Sequence, residues 1–267
     1  MTNEASVEVA ALRYQVATSC RILGMLGLMV EHTGHVSARI PGTDEMLVRC
    51  RGGNEEGVAF TEVENIRRVD FDGKGPEAGE GYAAPYETPI HGEIYRAKPN
   101  VMAVVHAHPY FALLCGVTKM EYRPLYGAYD PSSLRIALRG VPVFPRAITV
   151  ETKELAAEML DAMGERDVLL MQGHGITVTG ATVESATVLA IQFDRLSRIM
   201  WDVATSGRPG YDIPPQDLAE YERRSAATRT DRGGWFALQG GRNWSWNYYV
   251  RLLQVNGFGL PADGRSR

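Results

Sequence analysis

Residues 100–108, NVMAVVHAH, form an apolar run that ends in two histidines one residue apart. Read as a β-strand, this run points His106 and His108 to the same side, because side chains alternate with period two. Their Cα atoms are then about 6.5–7 Å apart, from a rise of roughly 3.3 Å per residue. Two imidazoles at that spacing can converge on one ion. The same pattern also fits one satisfied histidine at a strand end and one exposed to solvent. The rest of the chain has to supply both the sheet around this strand and any further ligands.

Short strand patterns alternate with helical ones along most of the sequence. Leu12, Val16, Cys20, Leu23, Leu26 and Val30 recur at spacings of three and four, which predicts one helix over residues 4–31 with Gly34 after its end. GHVSARIPGTDEMLVRCRGG then predicts two strands around a Pro41–Gly42–Thr43–Asp44 turn. RRVDFDGKG is a strand entering an Asp72–Gly73 turn. ETPIHGEIYRAKP is a short helix with Pro89 in its first turn and Pro99 past its end. GVPVFP is a further strand. TKELAAEMLDAMG is a helix with Thr152 as N-cap and Gly164 as stop. DVLLMQGHGITVTG gives two apolar runs broken by Gln-Gly-His-Gly, and a long helix follows from Thr182 to about Ser206. This mixture predicts a layered α/β domain over residues 1–210. Residues 211–267 read as an aromatic-rich extension holding Trp235, Phe236, Trp244, Trp246, Tyr248 and Tyr249.

The composition narrows the function. A net charge of −4 with no basic block argues against nucleic acid as a partner. Three scattered cysteines, Cys20, Cys50 and Cys115, fit neither a disulfide framework nor a zinc ribbon, so a reducing cytoplasm is expected. The N-terminal stretch has no signal-peptide pattern, and no apolar run approaches the roughly 20 residues of a membrane span.

His174 stands between two glycines in QGHGI, on a turn that can project it into a cleft. With His106 and His108 it would complete the three-histidine set of a catalytic divalent site. A plain turn histidine remains the alternative. Glu87 falls at or near a helix start, where the dipole favours a carboxylate. It is a capping group, a proton carrier beside the ion, or a fourth ligand. His91 lies four residues on, on the same helix face, and is read as structural.

Taken together, GHVSAR, PIHGEIYRAKPNVMAVVHAHP and LLMQGHGITVTG, in this order, resemble the class II aldolase/adducin family over residues from about 10 to 205. The resemblance implies a three-layer α/β/α fold with a mostly antiparallel central sheet. It implies a homotetramer with its active sites at subunit interfaces. It also implies His106, His108 and His174 as metal ligands and Glu87 as acid/base. The familiar members hold a sugar phosphate with asparagine, Thr-Gly and Ser-Ser. Here those places carry His35, the RCRGG segment and Pro85-Tyr86, so a phosphate ester is disfavoured. His35 and Ser37 of the same motif are then expected to meet the substrate. Arg49 and Arg51 offer planar forks for a carboxylate. The segments LYGAYDPSSLRIALRGVPVFPR and WNYYVRLL resemble the metal-dependent aromatic decarboxylase branch, which acts on dihydroxyphthalate and hydroxypyridine dicarboxylate. This implies a cytoplasmic carboxy-lyase in aromatic catabolism that takes a small aromatic acid. Its cofactor would be a divalent ion: manganese, cobalt, zinc or iron. An aldolase for an unphosphorylated hydroxy-keto acid is the alternative.

Overall fold

Helix α1 spans Asn3–Met25, shorter than the periodicity predicts. Gly27 takes φ +75. Its N–H reaches the Gly24 carbonyl and the Leu28 N–H reaches that of Leu23. This is a Schellman ending, which needs a residue that tolerates the left-handed region. Past this ending Leu28 and Met29 are buried, while Val30, the last residue of the predicted pattern, is exposed. Here and below we describe a computed structural model, covering residues 3–53, 55–230 and 243–260. Trp235 and Phe236 lie outside the described residues.

The strands are β1 (His35–Arg39), β2 (Glu45–Arg49), β3 (Ile66–Asp70), β4 (Ala103–Ala107), β5 (Val143–Phe144), β6 (Val168–Met171) and β7 (Gly175–Gly180). They form one mixed sheet in the order β3-β2-β1-β4-β7-β6-β5. Neighbours run antiparallel except β5 and β6. The histidine strand β4 therefore lies in the middle, between β1 and β7. Its register sets His106 directly opposite His35 and Thr177.

Alternation along the central strands feeds two cores. Val36, Ala38, Leu47, Val105 and Ile176 enter one, with Val16 and Leu23 of α1 and Phe193 of α6 (Val183–Thr205). Met46, Val48, Val104 and Leu169 enter the other, with Ile90 and Ile94 of α2 (Thr88–Ala97) and Met159 of α5 (Lys153–Met163). Helices α3 (Tyr110–Val117), α4 (Pro131–Arg139), α7 (Pro215–Thr230) and α8 (Trp244–Val255) complete the described elements. The sequence reading does not identify α4. Its start is nonetheless legible: Asp130 caps the Ser132 and Ser133 N–H groups and Pro131 opens the first turn. Tyr249 and Leu253 of α8 sink into the α1–α6 core. The Tyr249 hydroxyl accepts from Arg195, which also pairs with Asp130 at 2.9 Å.

Helix α2 approaches the β3 side of the sheet very closely at Gly92. A methyl group built there would overlap the Phe71 carbonyl. Alanine is the better helix former by roughly 1 kcal/mol. Even so, Gly92→Ala is expected to destabilise the fold by about 1–3 kcal/mol, because overpacking against backbone outweighs propensity. Urea unfolding measures this. A more stable variant would show that α2 has room to move.

Candidate metal centre

Three segments that are distant in sequence meet at the end of β4. His106 is its penultimate residue and His108 follows it. Glu87 stands immediately before α2, and His174 sits on the β6–β7 turn. Gly173 at φ +69 shapes that turn. At Gly175 a side chain would collide with the Ala107 carbonyl and the His108 ring, so glycine lets β7 close on β4 there. One ligand atom from each of Glu87, His106, His108 and His174 lies within 4.8 Å of all the others.

Glu87 occupies the N-cap position of α2 but makes no side-chain cap bond. Instead its Oε1 accepts the Val150 N–H at 3.0 Å and lies 3.5 Å from His174 Nε2. Its Oε2 lies 3.2 Å from His106 Nε2 and 3.9 Å from His35 Nε2. Burial alone would raise this carboxyl. The imidazoles of His106, His174 and His35 around it outweigh burial and hold it well below the ordinary carboxylate range. His106 and Glu87 are buried, whereas His108 and His174 are half-buried. The cluster thus has a closed floor and a partly open rim.

The donor set fits a divalent ion. His106 Nε2 and His108 Nε2 face each other at 2.9 Å, and His174 Nε2 joins them around the carboxylate. His106 Nδ1 lies 3.4 Å from Thr177 Oγ1, which itself donates to Met171 Sδ. Donation from Nδ1 to Thr177 would leave the Nε2 lone pair free for a metal, as an outer partner of a ligating histidine does. Three imidazole nitrogens and one carboxylate suit zinc, manganese, cobalt or iron and do not choose among them.

The other expected residues separate. His35 is buried beside the cluster, its ring 5.0 Å from that of His106. Arg51 is partly exposed, and its charge bears on His35. Arg49 does not join them. It pairs with Ile66 across β2–β3, so it points to the α1 face, opposite to that of His35 and His106. There its fork is taken up by Glu55 and by Thr61 Oγ1. Ser37 shares the face of His35 but is fully buried behind it, bonded to His91 and Tyr95. Its contacts are with those two side chains. His91, read as structural, touches His35 directly at 2.6 Å.

Burial pushes the His35 imidazole down to about 4, against the opposing pull of the Glu87 carboxylate. His91 and His108 are also pushed down, first by burial and then by neighbouring histidines. An unfolded histidine takes its proton near 6.5, so between that value and 4 the unfolded chain binds more protons than the folded one. The metal-free protein is therefore expected to hold its full stability above about pH 6.5 and to lose it as pH falls toward 4. His35 alone would account for on the order of 3 kcal/mol. Urea midpoints across that window measure the loss. A flat profile would mean that these rings are hydrated.

A seven-stranded mixed sheet that gathers three histidines and a glutamate around one point at the end of its central strand defines a metal-binding α/β lyase scaffold. The chain belongs to the class II aldolase and adducin N-terminal domain family, whose profile matches residues 14–201. It is 44% identical to a 3,4-dihydroxyphthalate decarboxylase of Arthrobacter keyseri over 214 residues, covering 79% of this chain and 86% of that one. It is 39% identical to a 3,4-dihydroxyphthalate decarboxylase of Terrabacter sp. over 212 residues, covering 79% and 88%. Among solved structures, an aldolase II superfamily protein from Pseudomonas syringae matches with TM-score 0.76 at 20% identity, over 93% of this chain and 94% of that one. That likeness shows the shared fold.

Proposed function

We propose that this protein is a metal-dependent carboxy-lyase that removes one carboxylate of a 3,4-dihydroxyphthalate-like acid as CO2, without oxidation. The observation that carries this is the His106–His108–His174–Glu87 cluster in a chain so similar to named decarboxylases. A divalent ion bound there supplies Lewis acidity toward the oxygens of the substrate. Glu87, ionised at rest, accepts the proton of a ring hydroxyl and delivers it to the ring carbon bearing the departing carboxylate. The C–C bond then breaks, its electron pair returns to the ring, and aromaticity is restored as CO2 leaves. His35 lies beside Glu87 on the closed side. Arg51 holds the retained carboxylate in a bidentate pair.

The same reading takes the chain as a cytoplasmic homotetramer. Among the described residues no helix is long and apolar enough to cross a membrane. Phe60, Tyr86, Tyr110 and Tyr129 are large, apolar and exposed, which supports burial between copies. Residues 1–210 form the catalytic body. Residues 211–267 form an extension that packs through α8 on the same body or covers a neighbour.

The test is anaerobic incubation of the protein, loaded in turn with manganese, cobalt, zinc or iron, with 3,4-dihydroxyphthalate. Stoichiometric CO2 and a catechol monocarboxylate, both abolished by chelator, are expected. Absence of CO2 with every metal would overturn the reading. A carbonyl fragment from a hydroxy-keto acid would then point to an aldolase.

A further inference from the structure

Behind the cluster runs a buried chain of polar groups that the proposed chemistry does not use. Tyr95 Oη lies 2.7 Å from Ser37 Oγ. Ser37 Oγ lies 2.6 Å from His91 Nδ1. His91 Nε2 lies 2.6 Å from His35 Nδ1. Ser37 and His91 are fully buried, and Tyr95 and His35 nearly so. Strand β1 places His35 and Ser37 on one face two residues apart, and α2 places His91 and Tyr95 one turn apart above them.

The direction of donation along this chain can be worked out. A hydroxyl has one hydrogen to give, and a neutral imidazole has one N–H and one lone pair. The Val104 backbone also meets the Tyr95 hydroxyl, as an N–H donor, which leaves Ser37 Oγ as the acceptor for the hydroxyl hydrogen. If Tyr95 donates to Ser37, then Ser37 donates to His91 Nδ1. His91 must then carry its hydrogen on Nε2 and donate it to His35 Nδ1. His35 is left with its hydrogen on Nε2, facing Glu87 Oε2 at 3.9 Å. The opposite direction fails at both ends. It strands the Tyr95 hydroxyl hydrogen in the core with no acceptor, which incurs a full desolvation cost. It also turns the His35 Nε2 lone pair toward a carboxylate.

We propose that Tyr95, Ser37 and His91 are positioning residues that lock His35 as its Nε2–H tautomer, making it a fixed donor to an anionic oxygen of the substrate. The separation of 3.9 Å from Glu87 is too long for a good hydrogen bond, so this N–H stays available. The substrate in question rests on the carboxy-lyase reading. The tautomer itself does not.

The test uses the whole protein with 15N-labelled histidine, metal-free and zinc-loaded, near neutral pH. Long-range proton–nitrogen correlations report which ring nitrogen carries hydrogen, and His35→Gln and His91→Gln assign the two signals. Wild type is expected to show His35 and His91 as single Nε2–H tautomers. Tyr95→Phe removes the hydrogen that sets the direction and Ser37→Ala breaks the chain, so each should admit the Nδ1–H form of both rings. An Nδ1–H signal for His35 in wild type overturns the proposal without any variant. So does a Ser37→Ala protein whose two tautomers stay pure. In turnover, His35→Gln preserves an N–H donor and should exceed His35→Leu by roughly tenfold or more. Equal loss in both would overturn the donor role. Failure of wild type to release CO2 would overturn the substrate assignment and leave the tautomer result standing.

Discussion

His106→Ala is expected to lose its metal and essentially all turnover while keeping its fold. His106 is fully buried at the centre of the cluster, 3.2 Å from Glu87 and 2.9 Å from His108 between facing atoms. It is also the ring that Thr177 orients from behind. Outer partners of metal-binding histidines are worth about 10–100-fold in affinity, so removing a ligand should cost roughly a thousandfold or more. Turnover should fall at least as far. Leaving the Glu87 carboxylate without its nearest imidazole partner costs the metal-free protein about 3 kcal/mol. Metal analysis after dialysis, CO2 release and urea unfolding measure the three effects. His32→Ala serves as the control, since His32 is exposed and outside the cluster. A His106→Ala protein that kept both metal and rate would remove His106 from the centre.

Much of this cluster is legible in the sequence, where period and spacing offer the candidates and the family resemblance joins them as one ligand set. His106 and His108 follow from one strand reading, and His174 from a glycine-flanked turn between two apolar runs. The helix start at Glu87 is legible too, but the partners of this carboxylate are not caps. Only the fold shows that, since Val150 and the histidines come from other segments. Arg49 escapes the sequence reading for a related reason. Arg49 and Arg51 sit at strand spacing, but β2 ends at Arg49, so no shared face forms. The sequence also does not say which face of β2 meets the site, because both faces are buried against helices. The contact of His91 with His35 is equally hidden, because it depends on the β1–β4 register that sets His35 opposite His106. The overlong helix at the N-terminus has a simpler cause. The apolar spacing continues past Gly27 to Val30, which is exposed after the helix, and periodicity alone does not show where a helix stops.

Glu87→Gln separates the two roles still open for this carboxylate. Glutamine keeps a carbonyl oxygen that can accept the Val150 N–H, so the side chain should hold its place. It cannot take a proton from a ring hydroxyl and return it to carbon. As a proton carrier, Glu87 is worth about 10²–10⁴-fold in rate, so kcat should drop by that factor. Bound metal should stay near wild type, because His106, His108 and His174 remain. If Glu87 acts chiefly as a ligand, the pattern reverses: metal content falls with turnover, and excess metal restores the rate. The half-open rim at His108 and His174 favours the first result, because it leaves positions for substrate oxygens without need of Glu87 as a permanent fourth ligand. The unused cap geometry agrees with this. A carboxylate turned away from its own helix and braced by one backbone N–H is held in place to exchange a proton.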